Sequence, residues 1–428
     1  MRSTLVKRLS SGMGANAFGQ TVSVALQLLT LPIFLGEWGA EKYGMWLVLS
    51  AIPAYFLVAD VGITSAAGNH MAVLFARGDI VGADAAFKCA QLVVLIVCTA
   101  SVLVGGIIGA TLIAVDLASY EELAVVGILV AAVQVSFYGG LVDKIYRATG
   151  RYATGVTLQN GVRIVEWLGG IVGLYLSGSY IAVACGTLLG RLVSTIWLCV
   201  FSRSSSYGFS WAIDPQAFAL LKILLRPSAA FAAFPIANAL SIQGLTLLVG
   251  HALGPTAVTT FTTYRTMARL VVQGVSVLSY SLEPECSRLF GRGAFRQLET
   301  LHVKAAWLAA VGACLLSLVV FQASPWLLGL WTKGVVESDS SLATLCFIYA
   351  ATASCWQVPR AVLVSANGHV QLAQLHIICA ALTLAIGMMF LGPLGVSGAG
   401  IAMLVPEAIL ALGAFILATR FVKSLPTS

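Results

Sequence analysis

Arg265 and Arg269 stand four residues apart, a spacing that puts both guanidinium groups on one face of a helix. Like Arg163, Arg191 and Arg360, they sit inside long apolar runs, which hold three acids as well: Asp60, Glu166 and Glu407. Five cations against three anions leave a surplus of two positive charges. A planar guanidinium can donate two hydrogen bonds to phosphate oxygens, so such groups around a water-filled cavity would attract an anion. An Arg in the middle of a membrane span costs roughly 2.5–3.5 kcal/mol on insertion scales, so each needs a reason. The bland reason differs by residue. Arg163 and Glu166 are three apart and could pair; Arg191 could pair with an acid on another helix; Arg360 could snorkel to the interface. Arg265 and Arg269 have no acid in their own run and fit the cavity reading best.

Polar stripes accompany these charges. Asn16, Gln20, Ser23 and Gln27 follow at spacings of 4, 3 and 4 on one helix face, and Gln159, Arg163 and Glu166 form a second stripe. Both could line a cavity or make interhelical hydrogen bonds. Glu407 follows Pro406 in mid-span; it, Asp60 and Glu166 are candidates for ion coupling or for counter-ions to the Arg residues.

The elements that must position these residues are membrane helices. The chain has 428 residues, 59% hydrophobic and 10% charged, with mean hydropathy +0.94. A soluble domain carries about 25% charged residues, so a soluble, disordered or disulfide-scaffold protein is excluded. Twelve apolar stretches are long enough, and too unbroken in pattern, to be anything but helices: 12–35, 44–68, 88–115, 123–143, 154–176, 180–201, 229–250, 257–281, 305–323, 341–365, 370–391 and 397–419. Asn16, Gln20 and Gln27 and the length of the first stretch argue against a cleaved signal peptide. Seventeen of the 24 Lys/Arg fall at the termini and in the even-to-odd loops, against Lys42 and Lys333 in the opposite loops. This predicts both termini on the cytoplasmic side, and it accounts for the net charge of +7 without nucleic acid. None of the nine Cys lies in an outside loop, which argues against structural disulfides.

The chain also contains a weak copy of itself. Leu74–Asp79 (LFARGD) recurs as Leu289–Ala294 (LFGRGA) at an offset of 215; Gly36 matches Gly250 at 214 and Lys88 matches Lys304 at 216. The expected fold is therefore an all-α membrane protein of twelve transmembrane helices in two six-helix lobes, a parallel repeat around a central cavity. The lobes would be 1–201 and 229–428. Between them 202–228 would be a cytoplasmic linker, with either a short surface helix at about 215–225 or plain chain. No phosphate-binding loop, His-Glu-x-x-His or metal-ligand cluster is present, so neither an enzyme nor a cofactor is expected. A membrane enzyme that transfers glycans is the second class, and translocation without covalent change distinguishes it.

Asn16, Gly19-Gln20, Pro32, Leu35-Gly36, Glu41, Tyr43-Gly44, Trp46, Asp60-Val61-Gly62-Ile63, Asn69 and Arg77-Gly78-Asp79 occur in that order over the first 90 residues. This opening resembles the polysaccharide-exporting O-antigen flippases of the multidrug/oligosaccharidyl-lipid/polysaccharide exporter superfamily. The resemblance implies two lobes about a V-shaped cavity in the bacterial inner membrane. It implies a polyprenyl-pyrophosphate-linked oligosaccharide, moved from the cytoplasmic to the periplasmic leaflet by alternating access. Membrane lipids, a coupling proton or sodium ion, and polysaccharide polymerase and chain-length proteins would be its partners. Export of another anionic lipid or solute is the alternative. Drug extruders share the lobes but move cations, which a net-positive interior disfavours.

Overall fold

The computed structural model describes residues 2–116, 118–203, 209–212, 214, 219–221, 232–365 and 368–425, with side chains from Gly14 onward except at 57–61, 63, 65, 76, 203, 280, 281 and 284. Every long element is a helix. Helices α1 (residues 2–38) and α2 (residues 40–76) run on from one another across a break at Gly39. They are followed by α3 (Ile80–Ala114), α4 (Tyr120–Ala148), α5 (Tyr152–Ser177) and α6 (Tyr180–Arg203). The second half holds α7 (Ala232–Leu253), α8 (Pro255–Gly291), α9 (Phe295–Thr332), α10 (Ser340–Ser365), α11 (Val370–Leu394) and α12 (Val396–Lys423). All twelve expected spans are helical over their described residues.

Nine helical segments among the described residues are long and apolar enough to cross a membrane, one of which, Gly14–Phe56, takes in parts of both α1 and α2. The two helices outside that set, α5 and α8, are those carrying Arg163 with Glu166 and Arg265 with Arg269. Large apolar side chains stand exposed along the others: Leu103, Ile107, Leu308, Leu315 and Met388. Such a surface is stable only against lipid, and the chain is a multi-pass membrane protein.

Local chemistry sets the helix ends. Asp79 Oδ1 accepts from Gly82 N at 2.8 Å to start α3. Ser119 and Glu122 form a reciprocal capping box on α4. Asp339 Oδ1 accepts from Leu342 N at 2.9 Å on α10. Each satisfies amide groups that a first helical turn leaves without a partner.

The internal repeat is written in the turns. After α2, Gly78 (φ 81°) lets Asp79 N reach Leu74 O at 3.0 Å; after α8, Gly293 (φ 70°) lets Ala294 N reach Leu289 O at 3.0 Å. Both are left-handed helix terminators of the kind glycine adopts without steric cost. On the other side, the matched pair is Gly39 (φ 69°, ψ −178°) and Gly254 (φ 85°, ψ 174°) at an offset of 215. This corrects the Gly36–Gly250 match: both of those lie inside helices, one turn before the break. Asp116 (φ 56°) and Lys333 (φ 52°) repeat the same left-handed conformation in the turns that follow α3 and α9.

Contacts group the chain into two units, Met1–Thr30 with Leu49–Pro235, and Leu31–Val48 with Ile236–Ser428. The division thus falls near 235, and the described residues of 202–228 belong with the first unit. There Phe209 is buried against Phe75 and Phe87, and Ser210 N donates to Asp84 at 2.6 Å. The expected surface helix at 215–225 lies mostly outside the described residues. Residues 31–48 group with the second unit because Thr259 Oγ1 donates to Ala40 O at 2.6 Å. A Cβ on Gly44 would also lie only 1.8 Å from Pro255 O.

Candidate functional site

In the first unit, α5 and α6 approach at backbone distance. Gly169 and Gly173 face Gly186 and Gly190: a Cβ on Gly186 would lie 2.1 Å from Gly169 O, and one on Gly190 2.6 Å from Val165 O. Two small-xxx-small patterns, one per helix, permit this, and close packing of that kind holds membrane helices together. One result is an ion pair. Arg191 Nη2 on α6 lies 2.8 Å from Glu166 Oε2 on α5, with side chains 17% and 22% exposed. Arg163, one turn before Glu166, is exposed, lies within electrostatic range of both, and touches Asn160 Oδ1 at 3.5 Å. Glu166 therefore pairs with Arg191 rather than with its helix neighbour Arg163, and the group keeps one net positive charge.

The polar stripes serve largely as ties between helices. Tyr152 Oη donates to Asn16 Oδ1 at 2.9 Å, Gly19 packs against Asn160, and Trp167 Nε1 donates to Thr30 Oγ1 at 2.8 Å. These contacts advance in the same direction along both chains, so α1 and α5 are parallel, as two odd-numbered spans must be. Gln159 Nε2 donates to Gly139 O on α4, an interhelical bond rather than a free polar lining. Gln20 and Gln27 are half-buried on the α1 stripe. The side chain of Asp60 lies outside the described residues.

In the second unit, α7 contains one turn of π-helix, Leu240–Gly244, where the wider winding presents Ile242 O to side chains. Arg265 Nη1 donates to that carbonyl at 2.9 Å, and its guanidinium stacks over Phe261 at 4.8 Å. Arg269, one turn on, is exposed. Neither forms an ion pair among the described residues. Tyr349 on α10 lies within electrostatic range of Arg265, Arg269 and Glu407. Glu407 is not an Arg counter-ion among the described residues: its Oε1 accepts a 2.6 Å hydrogen bond from Trp356 Nε1, and Trp356 lies edge-on to His376 at 5.3 Å. Arg360 belongs to another neighbourhood, near His376 and His369.

The five Arg residues thus form two local groups and one outlier. Arg163 joins Arg191, Arg265 joins Arg269, and Arg360 stands apart. Sequence reasoning missed Trp356, Tyr349 and the Gly169/Gly173–Gly186/Gly190 contact; only the glycine spacing was visible beforehand. Among the described residues no group of three or more His, Cys, Asp or Glu could hold a metal ion.

The inward-facing conformation of a multidrug resistance MATE family transporter of the MOP superfamily matches with a TM-score of 0.73. Identity is 16%, covering 95% of this chain and 95% of that one. The chain has the MOP-transporter fold. A MOP superfamily transporter from Pyrococcus furiosus Vc1, described by a reverse polarity of its binding pocket that suggests a different function, matches with a TM-score of 0.71. Identity there is 14% over 97% and 96% of the two chains. The outward-facing conformation of a multidrug resistance MATE family transporter gives 0.66 at 14% identity over 97% and 96%. No protein-family model matches the sequence, and neither does any curated protein. The shared fold extends over nearly the whole length of both chains.

Proposed function

We propose that this chain is a MOP-type exporter and, within that class, a flippase for a polyprenyl-pyrophosphate-linked oligosaccharide. It would carry its cargo from the cytoplasmic to the periplasmic leaflet of a bacterial inner membrane, with both of its termini cytoplasmic. The observation that carries this reading is the uncompensated guanidinium charge. Arg265 and Arg269 have no ion-pair partner among the described residues, and Arg163 is the surplus cation beside the Glu166–Arg191 pair. Unpaired cations at membrane depth are costly, and an anionic cargo would offset that cost. The Pyrococcus protein's reverse pocket polarity gives a precedent for a pocket of altered charge on this fold.

In this reading Arg265 and Arg269 hold the pyrophosphate, with Arg265 oriented by Ile242 O and Phe261 so that its remaining N–H groups face the ligand. An inside-negative potential favours outward movement of an anion by about 2.3 kcal/mol per charge per 100 mV, and roughly twice that for a dianion. Ion coupling is then an addition to the driving force and not its only source. The glycan polymerase and chain-length proteins would act on the cargo after it emerges.

Arg269→Ala is expected to impair surface glycan assembly while leaving membrane insertion unchanged, and Arg269→Lys to restore it in part. Normal glycan in the Ala variant would contradict the assignment. Export of a different anionic lipid or solute is the second reading, favoured by the same charges, and would show as transport without dependence on the glycan.

A further inference from the structure

Helix α9 carries a graded stripe. Arg296, Thr300, Lys304, Trp307, Val311 and Leu318 follow at spacings of 4, 4, 3, 4 and 7, so one helix face holds them all. Each of them is exposed. Along the helix the chemistry passes from cations through an indole to aliphatic groups. A bilayer leaflet passes from headgroup to hydrocarbon in the same order, with tryptophan favoured at the boundary. From Trp307 to Leu318 the helix rises roughly 16 Å, about half of the roughly 30 Å hydrocarbon core.

The polar end of the stripe is concave. Arg296, Gln297, Thr300, Leu301 and Lys304 line a hollow of about 390 Å³, and none of these is an acid. Glu299 stands roughly 100° round the helix from Thr300, on the side of the buried His302. Neither Arg296 nor Lys304 forms an ion pair among the described residues. Other basic groups near helix ends have acids of their own: Lys88 has Asp84, Arg147 has Asp143 and Arg288 has Glu285. Thr300 Oγ1 already donates to Arg296 O at 2.9 Å, which leaves an anion in the hollow to the two cations.

The repeat does not call for these charges. At the offset of 215 set by Gly78 and Gly293, Arg296, Thr300 and Lys304 correspond to Val81, Ala85 and Cys89 of α3. The cationic hollow therefore belongs to α9 and not to the repeated helix plan.

We infer that this face of α9 is a binding site for an anionic phospholipid. Arg296 and Lys304 hold its phosphate, and an acyl chain lies along Trp307, Val311 and Leu318. The two halves of the stripe choose this occupant together. A soluble anion would use the hollow and leave the apolar half uncovered. A zwitterionic lipid would bring a cation of its own against the two basic groups. The site does not depend on the cargo.

The test uses the purified full chain in phosphatidylcholine nanodiscs, with brominated phosphatidylglycerol or brominated phosphatidylcholine added at matched mole fractions. Bromine quenches tryptophan fluorescence only at close approach, and subtracting the signal of Trp307→Phe isolates Trp307. Half-quenching of Trp307 is expected at a roughly tenfold lower mole fraction of the phosphatidylglycerol than of the phosphatidylcholine. Arg296→Gln/Lys304→Gln is expected to remove that preference. Arg292→Gln, which removes an exposed charge outside the hollow, is expected to keep it. Salt at about 1 M is expected to weaken the wild-type preference, and this carries the test if the double variant does not fold. Equal quenching by the two lipids, a preference that survives in the double variant or in high salt, or one that Arg292→Gln removes as fully, overturns the site. Geranylgeranyl pyrophosphate, added at a small fraction of the phosphatidylglycerol, is expected to leave the quenching unchanged. Relief of quenching by it would make the hollow a site for pyrophosphate lipids and overturn the phospholipid assignment.

Discussion

Arg191 and Glu166 are joined at 2.8 Å across two helices whose glycines let the backbones touch. The pair is mostly buried, so losing one partner leaves a charge in poor surroundings. Glu166→Ala is expected to cost about 2–3 kcal/mol, below the 3–5 kcal/mol of a fully buried pair because both groups keep some exposure. Arg191→Ala on top of it should cost little more. Thermal unfolding of the two single variants and the double variant in detergent checks this. Additive losses would show that the contact contributes nothing as a pair.

The close approach itself is open to test. Gly186→Val places atoms where Gly169 O already lies, 2.1 Å from the new Cβ, and is expected to abolish accumulation of folded protein. Gly161→Ala on α5 meets nothing within 4 Å and replaces a glycine inside a helix. It is expected to leave stability unchanged or to raise it by about 0.5–1 kcal/mol. Size-exclusion profiles and melting curves of the two variants distinguish these outcomes.

The repeat and the basic loops predict a sidedness that labelling can measure. Lys333→Cys, at the exposed turn after α9, is expected to react with a membrane-impermeant thiol reagent from outside intact cells. Arg292→Cys, at the exposed end of α8, is expected to react only after the cells are opened. Labelling above the wild-type background is the readout. Reaction of both from the same side would contradict an odd number of crossings between them.

One pH effect follows from a group between spans. Burial, and next the nearby Arg360, hold the His369 imidazole below its ordinary value of 6.5. The unfolded chain therefore takes up this proton before the folded one does. Stability from this residue is complete above about pH 6.5 and declines as pH falls toward the lowered folded value. His369→Gln is expected to flatten the acid side of the melting-temperature profile. An unchanged slope would show that other groups govern it.

The spans were legible because lipid demands unbroken apolar runs, and even the tight α11–α12 junction at Gly395 separates where sequence places it. The repeat was legible in Leu74–Asp79 and Leu289–Ala294, although its second anchor needed the backbone angles of Gly39 and Gly254. The partners of the charges were not legible. Glu166 had Arg163 one turn away, and only the α5–α6 packing chooses Arg191. Trp356 and Glu407 are 51 residues apart, and a tryptophan in an apolar run gives no sign that it serves a carboxylate. The π-turn at Leu240–Gly244, which orients Arg265, has no pattern in the residues themselves.

The central claim is that Arg265 and Arg269 carry an anionic lipid headgroup across the membrane. Vesicles reconstituted with purified protein and a fluorescent lipid-linked glycan test it, with leaflet exposure followed over time. Translocation is expected with the wild type, a loss of at least roughly tenfold with Arg265→Ala/Arg269→Ala, and partial recovery with Lys at both positions, the cargo covalently intact throughout. Wild-type rates in the double Ala variant, at equal protein incorporation, would contradict it.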